Sequence, residues 1–511
     1  MTSRRHSQDV QVSPILLSAE AEKSFSNAQT PTESTPDLSS NSMQLRSIDL
    51  KGGVVMIVSL MIGSGIFTFP GEIHKYANST GLAMCIWLIS GMLALTGALC
   101  YAELGTMIPG SGGEAQYLTR GLGPLFTYLF DWTSILILKP GTVALMLRSF
   151  SLYAIHLIKA LTLSSHFDDK ATLEMYVKTL SCIGCVAVTA LSAYSHRWSN
   201  RILDVLTWSK VIALGLIIGG GFLFVALSDS SIFSQNVLQS PFSPTDVDAA
   251  APDTMKFMGQ LVVALCAGLW GFEGWNNLNI VSGDLKNPKR NLPLSIWISV
   301  GLVLGLYMAT LLGYYCVIRA KVFMNDDAVG LIFGKTVVRA LISENYDWIG
   351  SVVLSIAIMG STFSAALSSM VTSTEIIVLS ANNGNIPSLF SVIDPKTKTA
   401  FNAYVLQGVL SVLLAMVFSD GLIILYTFPT WIFYTFCAIV LVKMRFTEPD
   451  LERPYRVWIT TPILFLLACA TLIISLTFEK IYQVLVCFAV ILLGVPFYIR
   501  TSSAKRPEVK N

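Results

Sequence analysis

Apolar runs of roughly 20 residues recur along this chain from residue 49 onward, separated by short polar stretches. They lie near 50–76, 82–106, 122–158, 176–195, 202–227, 255–282, 291–318, 347–380, 401–418, 421–443, 458–478 and 480–498. Each is long enough to cross a hydrocarbon core of about 30 Å as a helix. The third and eighth exceed one crossing, which predicts tilt or projection from the bilayer. The pattern therefore predicts an all-α integral membrane protein of about twelve transmembrane helices, with its membrane domain over 49–498. Residues 1–48 are rich in Ser, Thr, Gln and Pro, lack a signal-peptide pattern, and read as a disordered tail. A solvated tether is the plain reading of that tail, and a phosphorylation target the alternative. Residues 499–511 read as a second tail.

Two of the runs are interrupted by glycine. The first contains Gly63-Ser64-Gly65 within Met61–Phe67. Each interior glycine costs about 1 kcal/mol of helix propensity relative to alanine. A broken backbone in hydrocarbon also exposes polar groups, so it persists only where it lines a cavity. The sixth run is interrupted at Gly268, Gly271 and Gly274, with Glu273, Asn276 and Asn277 in the same stretch. Close packing of helices through small residues would explain one such motif. Two at matching positions of two halves point instead to a transporter site at the bilayer midplane. The half-helix starting near Ile66 presents free N–H groups and the positive end of its dipole. With Ser64 and the amides of Gly63 and Gly65, that end suits a carboxylate. The half-helix ending near Trp270 presents free carbonyls, which suit an ammonium group. Carboxylate at one break and ammonium at the other describe an α-amino acid.

Composition agrees with a membrane protein and removes several functions. Hydrophobic residues make up 53% of the chain and charged residues 13%, with a mean hydropathy of +0.62. A net charge of +2 and the lack of a basic stripe argue against nucleic-acid binding. Of the 34 lysines and arginines, 21 fall in the tails and loops that an even number of spans places on the N-terminal side. The opposite loops hold 10, and Lys139, Arg148 and Lys210 lie within spans. Positive charge marks the cytosolic side, so both termini are expected there. All nine cysteines sit in or at the ends of apolar runs, which implies no extracellular disulfide framework. Cys182 and Cys185 resemble a CxxC pair but lie in a hydrophobic helix without partner ligands. The sequon at Asn78 is close to the helices, which disfavours glycosylation. Five scattered histidines and no clustered nucleophile argue against an enzyme, and no cofactor or metal is expected. Neither charge rings nor a repeated filter motif suggests a channel.

Several ordered motifs carry a resemblance. They are IGSGIF (62–67), GALCYAELGT (97–106), SGGE (111–114), LKPG (138–141), WSKVIALGLIIGGGF (208–222), GWNNLN (274–279), NPKRNLPL (287–294) and DLERPYRV (450–457). Over roughly 46–498 the chain resembles the L-type amino acid transporter family of the amino acid–polyamine–organocation superfamily. The resemblance implies a LeuT-type five-plus-five inverted repeat with discontinuous helices 1 and 6, two extra helices, and sodium-independent amino acid transport. It implies Gly63, Ser64 and Gly65 as carboxylate binders, and backbone carbonyls of Met61 and Trp270 against the amine. Trp270 also matches an aromatic gate, and Phe428 and Trp431 match positions lining the side-chain pocket.

The intramembrane Lys210 is a functional candidate by its depth, with snorkelling to the interface as the alternative. The resemblance places it where sodium-coupled relatives bind sodium, tying helices 1 and 5, with Ser361 or Ser364 of helix 8 as intermediaries. Glu103 matches a glutamate at the inner end of helix 2 and reads as an interhelix tie. Departures from the family concern Glu273, where many members have a small residue. Its carboxylate would favour cationic substrates, or couple transport to protons, or bond a neighbouring Asn or Lys. Glu375 and Asn382 stand where basic residues are frequent. The loop 159–175 lacks the cysteine through which animal members bind a glycoprotein, so a disulfide-linked heavy subunit is not expected. In this and in its tail the chain resembles the fungal branch, which includes methionine permeases. The principal expectation is transport of neutral amino acids, methionine or large neutral ones, across the plasma membrane. Cationic amino acid or polyamine transport, and proton symport, are the alternatives.

Overall fold

A computed structural model describes residues 48–505, apart from 109, 111, 163–168, 229, 246–253, 325–327, 396, 398 and 418–420. The expected N-terminal tail therefore lies outside the described residues, except for Ile48. Twelve apolar helical segments follow in the expected order. The first, α1, is broken into Leu50–Met61, Gly65–Thr68 and Pro70–Ala77. Next come α2 (Thr80–Met107) and α3, which runs through Pro124–Thr133, Ser134–Leu138 and Lys139–Thr162. They are followed by α4 (Lys170–Tyr194), α5 (His196–Leu227), α6 (Thr254–Gly271), α7 (Pro288–Val317) and α8 (Asp347–Asn382). The last four are α9 (Phe401–Val417), α10 (Leu422–Thr447), α11 (Thr460–Glu479) and α12 (Ile481–Lys505). Eleven helices are long and apolar enough to cross a membrane, and α9 falls one residue short at 17. The chain is an integral membrane protein with about twelve spans. Helix α12 continues to Lys505, beyond the expected start of the C-terminal tail at 499.

Local chemistry sets the helix ends. Asp49, Ser79, Asp169 and Ser195 each accept a backbone N–H at the start of α1, α2, α4 and α5. Proline opens the last part of α1, α3 and α7, where its missing N–H removes nothing from the helix. Asn78 ends α1 in the left-handed conformation, and its carbonyl accepts the Thr245 N–H at 2.8 Å. Within α3, one π-helical turn over Ser134–Leu138 precedes Pro140, which cannot donate to the turn before it. Within α10, Pro429 leaves the Leu425 carbonyl without its usual donor. The Cys487 thiol of α12 approaches that carbonyl at 3.9 Å.

Helices α1–α5 and α6–α10 form the two repeats of the LeuT-type fold. Their second members, α2 and α7, pack on each other, and so do the third members, α3 and α8. The core between them holds very large side chains, among them Trp87, Tyr101, Tyr307 and Phe272, all fully buried. At the end of α2, Glu103 is buried without residual exposure. Its carboxylate accepts from Arg445 Nε at 3.0 Å and from the Val457 N–H at 2.8 Å. That joins α2 to α10 and to the segment leading into α11.

Removing one member of a buried ion pair strands the other charge and costs about 3–5 kcal/mol. Glu103→Leu is therefore expected to lower the melting temperature of the purified protein in detergent. The double variant Glu103→Leu/Arg445→Met should recover part of the loss. A single variant that melts like the wild type would contradict the tie.

Candidate functional site

The two glycine breaks lie against each other. A Cβ on Gly65 would overlap the backbone of Gly271, so glycine at 65 permits this approach, and a Cβ on Gly271 would run into the Trp87 ring. Gly274, at φ +117°, turns the chain so closely past α1 that a Cβ would lie 3.0 Å from the Leu60 carbonyl carbon. The first part of α1 ends at Met61, and α6 ends at Gly271. A helix end leaves its last carbonyls and first amides without helical partners. Those groups, with the ends of two dipoles, make this region polar inside an apolar bundle.

Several of the orphan carbonyls have a visible substitute. The Val58 carbonyl accepts the Ile62 N–H at 3.0 Å. The Ser59 carbonyl accepts from Lys210 Nζ at 2.8 Å, which brings a buried ammonium to the negative end of the first half-helix. The Met61 carbonyl accepts the Gly63 N–H at 2.9 Å and lies 2.9 Å from the Tyr307 hydroxyl of α7. The same hydroxyl lies 2.9 Å from the Gly271 carbonyl. Lys210 thus joins α5 to α1 directly. Ser361 and Ser364, expected as its intermediaries, use other acceptors: Ser361 Oγ donates to Gly63 O at 3.5 Å and Ser364 Oγ to Ser361 O at 3.1 Å. The reason is local, because a hydroxyl on a helix readily bonds its own preceding turn.

On the amide side, the short helix Gly65–Thr68 begins with Ser64 as its N-cap. Ser64, Gly65 and Ile66 occupy the positions whose N–H groups have no earlier carbonyl within the helix. The Ser64 hydroxyl donates to Met146 Sδ of α3 at 3.1 Å, and the same side chain approaches Gly63. Met146 therefore covers the amide end of this short helix.

Trp270 is buried and meets Tyr426 of α10 edge-on, with ring centroids 4.6 Å apart. Glu273, three residues later, accepts from the Tyr434 hydroxyl at 2.8 Å and lies within hydrogen-bonding reach of Tyr426. It keeps part of its surface uncovered although it sits deep in the bundle. Lys139 and Glu114 are the charged groups that act on it. Asn276 is directed toward Glu114, to which its side-chain amide donates, and so bonds a protein carboxylate. Burial raises the Glu114 carboxyl above its ordinary range, and the Asn276 amide opposes that shift.

Two expected pocket residues face elsewhere. Phe428 is fully buried against Phe488 of α12, with centroids 5.2 Å apart. Trp431 packs between Tyr434 and Phe465 of α11. Successive residues turn by about 100° on a helix, so Phe428 lies about 200° from Tyr426, on the opposite face. The α10 residues that meet α6 are Tyr426 and Tyr434, eight residues and so slightly more than two turns apart. Glu375 is half-buried in α8 within electrostatic reach of Tyr404, and Asn382 ends α8. Met146, Tyr307, Tyr426 and Tyr434 escaped the sequence reading because an aromatic or a methionine in an apolar run carries no distinguishing pattern. Glu114 had a signal, the SGGE motif, but no assigned partner.

With this geometry in view, the comparison with known proteins is informative. Residues 48–502 match the family model described as amino acid permease. The chain is 32% identical over 469 residues to b(0,+)-type amino acid transporter 1 of Mus musculus, covering 91% of this chain and 90% of that protein. It is 30% identical to the human protein of the same name, covering 89% and 87%. It is also 30% identical to the large neutral amino acids transporter small subunit 2 of Mus musculus, covering 89% and 80%. The match spans nearly every helix, including both breaks, and the chain belongs to the amino acid permease family.

Proposed function

We propose that this protein carries amino acids across the membrane by alternating access, without sodium, and that neutral amino acids, methionine or large neutral ones, are its principal substrates. The observation that carries this reading is the contact of the two helix breaks at Gly65 and Gly271. Amides at Ser64 and Gly65, and that of Gly63 once it leaves the Met61 carbonyl, would take the carboxylate, and carbonyls at Met61 and Trp270 the ammonium. The buried Lys210 supplies a fixed positive charge at the end of the first half-helix, which a sodium ion would otherwise supply. Trp270 and Tyr426 offer an apolar wall beside the break.

Glu273 supports a second reading, because a partly uncovered carboxylate beside the break suits a cationic side chain or a proton. The charge distribution of the loops supports cytosolic termini, and the family supports a plasma-membrane setting. Relatives named small subunits suggest a companion chain for this protein as well. The missing cysteine in 159–175 then bears on a disulfide alone, and a non-covalent companion remains compatible with it.

Radiolabelled uptake into proteoliposomes, competed by each of the twenty amino acids with and without a pH gradient, tests the reading. Neutral amino acids are expected to compete best; no competition by any amino acid would refute it. Lys210→Ala should reduce uptake by at least about tenfold at equal surface expression, since it removes a charged hydrogen bond of about 1.5–3 kcal/mol. Uptake unchanged in that variant would remove Lys210 from the mechanism. Glu273→Gln should abolish competition by arginine and lysine while leaving neutral competitors within about threefold. Equal loss for both classes would argue that Glu273 serves the structure of the break instead.

A further inference from the structure

Tyr307 of α7 bridges the two helix breaks. Its ring is fully buried, edge-on to Trp87 of α2 at 5.8 Å and tilted against Phe272 at 5.0 Å. Its hydroxyl is 2.9 Å from the Met61 carbonyl and 2.9 Å from the Gly271 carbonyl. These are the terminal carbonyls of the two half-helices. One phenol carries one proton, so it serves two acceptors in turn or shares the proton between them. The Gly271 carbonyl oxygen has a second lone pair beside this bond, whereas the Met61 oxygen also accepts the Gly63 N–H at 2.9 Å, a bond that an arriving ammonium would replace.

We propose that Tyr307 is a positioning residue for the substrate's ammonium group: its hydroxyl ties the ends of both half-helices together at Met61 and Gly271, and so fixes the spacing of the Met61 and Trp270 carbonyls assigned to the ammonium. This rests on the amino acid reading of the site. Without that proton, two partial negative charges would face each other in an apolar surrounding, with no donor between them. They would turn apart, and the oxygen arrangement that receives an ammonium would be lost. The carboxylate end, built on Ser64 and Gly65, does not touch Tyr307 and would stay as it is.

The test compares leucine with 4-methylpentanoate, which has the same carbon skeleton and carboxylate but no amine. If another neutral amino acid competes better, that acid and its desamino analogue take their place. Inhibition constants for uptake are measured for the wild type and Tyr307→Phe, which keeps the ring. The ratio of the two constants reports the contribution of the amine. It should fall by about tenfold or more in Tyr307→Phe, the loss expected for a charged hydrogen bond. General loosening of the fold would weaken both compounds alike and leave the ratio unchanged. An unchanged ratio, or a rise as for a hydroxyl that competes with the ammonium, would overturn the proposal. 3-Fluorotyrosine at position 307 should keep the ratio within about twofold of wild type. Should Tyr307→Phe not reach the membrane, Trp87→Phe decides alone: it loosens the ring's support, and the ratio should fall by a few-fold, an unchanged ratio again overturning the proposal. A wild-type protein that ignores every amino acid would instead refute the transport reading itself.

Discussion

The structure depends on one backbone-to-backbone contact, Gly65 of α1 against Gly271 of α6. Glycine lets the two backbones meet, and both helices end at the contact, α1 at Met61 and α6 at Gly271. Each stops, and each stopping point leaves polar groups that hydrocarbon cannot satisfy. Much of the surrounding bundle answers that demand. Lys210 reaches in from α5, Tyr307 from α7, Ser361 from α8 and Met146 from α3. The polar interior is thus a consequence of the two helix ends, and the proposed zwitterion site uses the two kinds of group that a broken helix exposes.

Charge on the side of α6 that follows its break is handled by pairing. Glu103 is held by Arg445 and Val457, Glu114 by Asn276, and Glu273 by Tyr434. Each carboxylate also links elements that are distant in sequence. Glu273 keeps part of its surface uncovered, whereas Glu103 is wholly enclosed, so of the two only Glu273 could meet a substrate in the proposed site.

The helices were legible because length and hydropathy alone decide what crosses a bilayer. Both breaks were legible as well, since Gly63, Gly65, Gly271 and Gly274 are improbable inside a helix without a reason. The direction of side chains was not. Helix α10 is apolar nearly all round, so its sequence gives no face to align, and Phe428 was indistinguishable from Tyr426. The same uniformity hid Tyr307, one of several aromatic residues in α7. Serines 361 and 364 were misdirected for another reason: a serine's nearest acceptor is often its own helix, which only coordinates reveal.

Pro429 gives α10 an unequal character along its length. Past the proline, Tyr434 is bonded to Glu273, Lys443 Nζ to the Gly121 carbonyl at 2.8 Å, and Arg445 to Glu103. Before it, Tyr426 meets Trp270 by ring contact and lies within hydrogen-bonding reach of Glu273, and the freed Leu425 carbonyl meets a weak thiol donor. One end of the helix is moored by an ion pair and the other is held by a single phenol and ring contacts, with a missing backbone bond between them. Such a rod bends at one place, and the bend would lift Tyr426 from Trp270 while the moored end stays where it is.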